Sequence, residues 1–398
     1  MFYATIKMQA SRGEKMEITN DIKYIGANDK TLDLFEGKYV VPNGMAYNSY
    51  VIFDEKIAIL DTTDAKCADT WLKNVKNTLG DKTPSYLIVH HMEPDHSSSI
   101  AELLNEYPST TIVASAKAFT MMKQFFGNAY EDNRIIVKEG DTLSLGKHTL
   151  SFFMAPMVHW PEVIVSYDSY DKILFSADAF GKFGTTDTNE DWACEARRYY
   201  FGIVGKYGVQ ASALLKKIKS LDIRQICPLH GPVLNENLDY YLNLYTLWTS
   251  YTPEKKGTLI AYTSVYGNTE RAVELLEKEL SMRGETVSVC DLAREDMAEA
   301  VEDAFKYDKM VLASTTYNAD LFPFMREFLN ELAERNYQKR KVAIIENGSW
   351  APMAKKKIIE RLEVLKEIEI IGSVTINSSM SKENEQEIKN LAQALCTE

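Results

Sequence analysis

The run His91-Met92-Glu93-Pro94-Asp95-His96 sets two imidazoles and two carboxylates within six residues. Both group types bind metal ions, and crowded this closely they need a cation to offset charge repulsion and desolvation. A solvated acidic loop that happens to contain histidines is the alternative, and the partners downstream argue against it. His159 stands in Met157-Val158-His159-Trp160-Pro161, where proline breaks any strand ladder. Asp178 is the only charge in Phe175-Ser176-Ala177-Asp178-Ala179-Phe180, and His230 lies in the turn signal Pro228-Leu229-His230-Gly231-Pro232. Singly, each has an ordinary reading as a surface or core histidine or a helix cap. Together they place four of the six histidines at strand-to-loop transitions, which favours a metal centre.

A second constellation lies in the C-terminal half. Ser264-Val265-Tyr266-Gly267-Asn268-Thr269 follows an apolar run and opens into a helical pattern. Backbone N–H groups and hydroxyls at such a helix start form a phosphate cradle, though an N-cap with a turn has the same letters. Two further loops, with Thr316-Tyr317-Asn318 and Gly348-Ser349-Trp350, follow later apolar runs. Tyr317 and Trp350 offer aromatic faces for a flat ring, with plain packing as the alternative.

The elements that must position these residues differ between the halves. From about residue 21 to 233, short β-rich runs such as Tyr50-Val51-Ile52-Phe53 alternate with turns and a few helices, a layered α/β pattern. The stretch Tyr86-Leu87-Ile88-Val89 reads as a buried strand, with the first ligands on the loop leaving its C-terminal end. From Thr258 five strands alternate with helices, which predicts a doubly wound parallel sheet of the flavodoxin type. Its ligands would bind outside the carboxyl ends of the strands, where the three loops converge. The expected organisation is an N-terminal extension over 1–15, a first domain over 16–251, a linker over 252–256 and a second domain over 257–398. In an extended segment His90 points away from His91, as a core or supporting residue. His148, between Lys147 and Thr149, is expected to be exposed.

Of 398 residues, 45% are hydrophobic and 26% charged, and the net charge of -12 argues against a nucleic-acid partner. The five cysteines form no C-x-x-C pair, so neither a disulfide framework nor an appended rubredoxin-type iron site is expected. No apolar run approaches the roughly 20 residues of a membrane helix. With no export signal visible, a cytoplasmic location is expected.

The order of the ligand runs resembles the metallo-β-lactamase superfamily, an αββα sandwich with a two-metal cleft. Its hydrolases carry H-x-H-x-D-H in the first run, whereas here Glu93 replaces the second histidine. With the runs His159-Trp160-Pro161-Glu162 and Leu229-His230-Gly231-Pro232, this resembles the flavodiiron proteins, in which such a domain is fused to a flavodoxin-like one. The resemblance covers nearly the whole chain from Met16. It departs at Thr315, where relatives often have proline, and in a glycine-poor Trp350 loop.

That resemblance implies FMN in the second domain and two irons in the first. One iron would bind His91, Glu93 and His159, the second Asp95, His96 and His230, with Asp178 bridging. An anionic oxygen ligand at Glu93 suits iron, where an imidazole-rich site suits zinc. It further implies a terminal reductase of dioxygen or nitric oxide, fed by a separate donor such as rubredoxin or a reduced deazaflavin. A head-to-tail homodimer, alone or paired into a tetramer, would bring one subunit's FMN beside the other's irons. Tyr199, Tyr200 and Tyr47 are expected to line the metal cleft, with core packing as the alternative. The rival reading is a dinuclear zinc hydrolase with a flavodoxin-like module.

Overall fold

In the computed structural model, residues 17–128, 130 and 132–397 are described, so the expected extension over 1–15 lies outside them. Two sheets form the centre of the first half. One runs in the order Ile22–Tyr24, Tyr50–Ile52, Ala58–Leu60, Tyr86–Ile88, Thr111–Ser115, Arg134–Val137. The other runs Thr142–Ser144, Thr149–Met154, Ile164–Asp168, Ile173–Phe175, Gln225–Cys227.

Strand periodicity sorts the side chains. Tyr50, Ile52, Ala58 and Leu60 meet Leu150, Phe152, Ile164 and Phe175 between the sheets. Their neighbours Val51 and Ile59 point outward onto Trp71 and Val75 of the helix Ala68–Leu79. On the far side, Val165, Leu174 and Ile226 pack beneath the helices Trp192–Tyr199, Gly208–Ile218 and Leu238–Thr249. This is an αββα sandwich.

The second half is a parallel sheet in the order Val287–Asp291, Lys255–Tyr262, Tyr307–Tyr317, Gln338–Asn347, Lys366–Ile376. Helices Asn268–Met282 and Lys382–Cys396 cover one face, and Met297–Lys306, Pro323–Glu334 and Ala354–Leu362 the other. The segment expected as linker over 252–256 runs into structure: Glu254 N–H bonds Lys306 O at 2.9 Å, and the first strand begins at Lys255.

Buried charge and stacked rings join the halves. Arg197 holds Glu254 through two bonds of 2.7 and 3.0 Å and also pairs with Glu302 of the second half. Beside it Phe201 stacks on Phe305, with ring centroids 3.9 Å apart. Among the described residues no helix is long and apolar enough to cross a membrane.

Candidate metal centre and flavin cavity

After the strand Tyr86–Ile88 the chain bends at His90 and again at Glu93, and His91 and Glu93 both reach one group of donors. Pro94 then starts a single helical turn, Pro94–Ser97, that swings Asp95 and His96 toward a neighbouring point. Two groups of donor atoms result: His91, Glu93, His159 and Asp178, and Asp95, His96 and His230. In the first, Glu93 Oε2 lies 3.2 Å from His91 Nε2 and 3.0 Å from His159 Nε2. Asp178 Oδ2 lies 3.3 and 3.1 Å from the same two nitrogens. In the second, His96 Nε2 and His230 Nε2 are 3.0 Å apart, each 3.3 Å from Asp95 Oδ2. Asp178 Oδ1 faces this group, 3.4 Å from His96 Nε2 and 3.7 Å from His230 Nε2. One carboxylate thus turns an oxygen toward each cluster.

These residues fit a pair of cations. Among the described residues, both oxygens of Asp95 and of Asp178 are buried with only the imidazoles of the two clusters facing them. A buried carboxylate left so costs on the order of several kcal/mol unless a positive charge meets it. First-row ions bind nitrogen and oxygen at about 2.1 Å, which separates adjacent donors by roughly 3 to 3.5 Å. Without cations, protons serve instead. Burial opposes the imidazolium form, yet Asp178 and Glu93 push His159 up to about 9. Burial likewise opposes the carboxylate of Asp178, but the surrounding imidazoles hold it well below the usual range.

Supporting bonds orient the imidazoles. Fully buried Glu162 takes His91 Nδ1 at 2.7 Å and accepts from Met92 N–H at 2.8 Å. His230 Nδ1 donates to Ala46 O at 2.7 Å, which turns Nε2 into the cluster. The sequence reading named Glu162 only within the run from His159, with no role, and passed over Ala46. The only local signal for Glu162 is a charge three residues beyond His159 in an apolar context.

Two of the three expected tyrosines reach this centre. The Tyr199 ring lies 5.4 Å from that of His230, and Tyr47 lies 6.0 Å from His230 and 6.4 Å from His96. Burial, then the charges of Asp178 and Asp95, raise Tyr199 well above its ordinary pKa, so it stays a neutral phenol. Tyr200 does not reach the cleft; it packs on Tyr245 and Trp248. Consecutive positions at a helix end point in different directions, and Tyr199 takes the inward one. Trp160, named in the run from His159 without a role, and Phe35, which no motif marked, are further walls, with ring centroids 5.3 Å from His91 and 5.5 Å from His230. His90 stays out of the clusters, held by Asp61 at 2.6 Å and Ser166 at 2.7 Å. His148, expected exposed, is fully buried and bonds Asp168, because its hairpin turn folds it beneath Tyr170.

The second constellation surrounds an open cavity of about 490 Å³ at the carboxyl ends of three strands, Lys255–Tyr262, Tyr307–Tyr317 and Gln338–Asn347. That is within the range of small-ligand sites. Ser264, Val265, Tyr266, Asn268, Thr269, Thr316, Tyr317, Asn318, Gly348, Ser349 and Trp350 all line it, joined by Thr315, Asn347 and Ser378. Gly267 does not line it; at φ 82° it makes the left-handed turn that starts the helix Asn268–Met282. The positive end of that helix therefore opens on the cavity, as a phosphate requires. Tyr317 is carried by a tight hairpin whose central residues, Asn318 and Ala319, both have positive φ. Two hydroxyls are already engaged. Ser264 Oγ accepts from Gly267 N–H, and Thr316 Oγ1 accepts from Met353 N–H at 2.9 Å.

An αββα sandwich with two adjoining donor clusters, joined to a doubly wound sheet with a phosphate-ready cavity, defines a two-site metallo-flavoprotein. Residues 45–231 match the ODP family beta lactamase model and residues 259–395 the flavodoxin domain model. An uncharacterized protein of Methanocaldococcus jannaschii is 29% identical over 87% of this chain and 88% of its own length. The anaerobic nitric oxide reductase flavorubredoxin of Escherichia coli is 26% identical over 87% of this chain and 74% of its own. The chain spans about half, 51%, of the diflavin flavoprotein A 1 of Synechocystis. A flavo di-iron protein variant from Thermotoga maritima superposes with a TM-score of 0.87 at 25% identity, over 96% of this chain and 97% of that one. The chain belongs to the flavodiiron family.

Proposed function

We propose that the protein is a terminal oxidoreductase that takes electrons from a separate carrier, by way of FMN and a pair of irons, to dioxygen or nitric oxide. The observation that carries this reading is Asp178, fully buried with one oxygen turned toward each cluster. One structural relative is named for its two irons and one sequence relative for nitric oxide reduction.

When bound, the irons and flavin supply the redox chemistry; the chain holds and shields them. His91, Glu93 and His159 would hold one iron, Asp95, His96 and His230 the other, and Asp178 both. Glu93 supplies a hard anionic oxygen that favours iron over zinc. Glu162 and Ala46 O fix which imidazole nitrogen faces inward. Tyr47, Tyr199, Phe35 and Trp160 wall the pair with rings, which keeps bulk water out and leaves two neutral phenols close by. Ser264 to Thr269 would cradle the FMN phosphate, with Tyr317 and Trp350 beside the ring.

The two sites lie in different domains, so a head-to-tail dimer that brings one subunit's flavin to the other's irons is part of the proposal, as is a cytoplasmic location. Metal analysis and a visible spectrum of the purified protein test it. Two irons and one FMN per chain, with consumption of dioxygen or nitric oxide by reduced protein, are expected. Two zincs without flavin would overturn the reading.

A further inference from the structure

The strand Thr149–Met154 leads at its C-terminal end toward His159 and is preceded at its other end by His148. Its six residues span roughly 20 Å, so the two ends are separate chemical environments. At the His148 end, Asp21 and Asp171 join that histidine, and the three donor atoms lie within 4.8 Å of one another.

We propose that His148, Asp21 and Asp171 form a second, mononuclear divalent-cation site, selective for zinc, that staples the two sheets of the sandwich. Three observations carry it. First, His148 is fully buried, and its Nε2 has no hydrogen-bond partner among the described residues. Second, Nδ1 of the same ring lies 3.0 Å from Oδ2 of fully buried Asp168. That carboxylate accepts a hydrogen bond from Nδ1–H, so in the neutral ring the Nε2 lone pair faces the aspartate side, as in a carboxylate–histidine–metal arrangement. Asp168 is itself held by the backbone N–H of Asp171 at 3.0 Å and of Tyr170 at 3.3 Å. Third, Nε2 stands 3.6 Å from Asp21 Oδ2, too far for a hydrogen bond. It is close to the roughly 3.4 Å that separates two donors around a tetrahedral zinc.

The surroundings leave the site accessible. Asp21 and Asp171 are half-buried, so a hydrated ion can enter and keep water at its open positions. Thr19 donates to Asp171 Oδ2 at 2.7 Å and steadies that carboxylate. Lys147 pairs with Asp21 from the solvent side and is the competing cation. The ammonium reaches Asp21 from water and is screened by it, so a divalent ion competes with it effectively. One imidazole with two carboxylates suits zinc, whereas calcium seeks six to eight oxygens. Asp21 precedes the strand Ile22–Tyr24 of one sheet, while His148 and Asp171 sit in hairpin turns of the other. A bound ion therefore ties the sheets together at the edge away from the candidate iron centre.

The test uses the purified protein with whatever metals and flavin it carries. It is incubated with excess zinc, freed of loosely held ion by gel filtration and analysed for metal. Wild type is expected to retain one more zinc per chain than Asp171→Asn and His148→Gln, and zinc is expected to raise the melting temperature of wild type alone. Because the readout is a difference between variants, it stands whatever metal occupies the other centre. Lys147→Met, which removes the competing ammonium, should bind zinc severalfold more tightly. Equal zinc retention by wild type and Asp171→Asn would overturn the proposal, leaving His148 as an imidazolium between two aspartates. So would calcium displacing zinc at equal concentration. If His148→Gln fails to fold, Asp171→Asn, altered at a partly exposed position, decides alone.

Discussion

The metal centre and the flavin cavity solve opposite problems. At the metal centre, donors from the ends of strands in both sheets converge in a buried space, with Glu162 and Ala46 clamping two of the imidazoles from behind. The cost there is electrostatic, and charge of the opposite sign relieves it. The flavin cavity is an open shelf whose rim residues Tyr266 and Trp350 are 88% and 93% exposed. Its shape comes from left-handed turns at Gly267 and at Asn318 and Ala319, and from hydroxyls that bond the loops to themselves. Its cost is exposed aromatic surface, relieved by a flat ligand. A charged kernel is therefore expected to respond to single substitutions far more steeply than an open shelf.

The largest effect expected is at Asp178, the group shared by both clusters. Asp178→Asn should strip most of the bound metal, read by elemental analysis, while flavin content stays near wild type. Retention of full metal would break the contrast at its centre. Next comes the joint between the regions. Arg197→Ala removes the guanidinium that pairs with both Glu254 and Glu302 in the buried joint and should destabilise the protein by about 3–5 kcal/mol in denaturant titrations. A loss below about 1 kcal/mol would mean the joint behaves as a surface pair. Glu162→Gln keeps the shape behind His91 but removes the charge. Chelator competition should show metal affinity reduced by about 10- to 100-fold. Smallest is Trp350→Ala, which should weaken flavin binding by about tenfold or less, measured by flavin titration, with metal content and melting temperature unmoved. A hundredfold loss there would make the shelf as exacting as the kernel.

Much of this contrast is legible in the sequence, for physical reasons that differ by residue. Histidines and carboxylates placed just beyond apolar strand runs stand out because nothing else in a core calls for them, as Asp178 illustrates. The loop positions of the flavin cavity follow from the topology of a parallel sheet. Direction of a side chain is harder. Tyr199 and Tyr200 are adjacent and of one type, and only the packed helix decides which faces His230. His148 has polar neighbours on both sides, and its burial depends on a hairpin that packs it beneath Tyr170. Glu162 supports a residue 71 positions away, a relation that no local pattern carries. The proline and glycine around residue 255 signal a linker, yet Lys255 pairs with Tyr307, and the strand continues past a bulge where Gly257 N–H bonds the Asp308 side chain.

The position of Trp350 also has an optical consequence. Of the five tryptophans, Trp71 and Trp248 are fully enclosed, Trp192 is buried and Trp160 is half-buried against His91 and His159. Trp350 alone stands in solvent, so the red edge of the emission spectrum belongs to it, and so does the fraction that iodide quenches. A flavin settling beside that ring would darken this component first, which makes the chain its own gauge of cofactor loading.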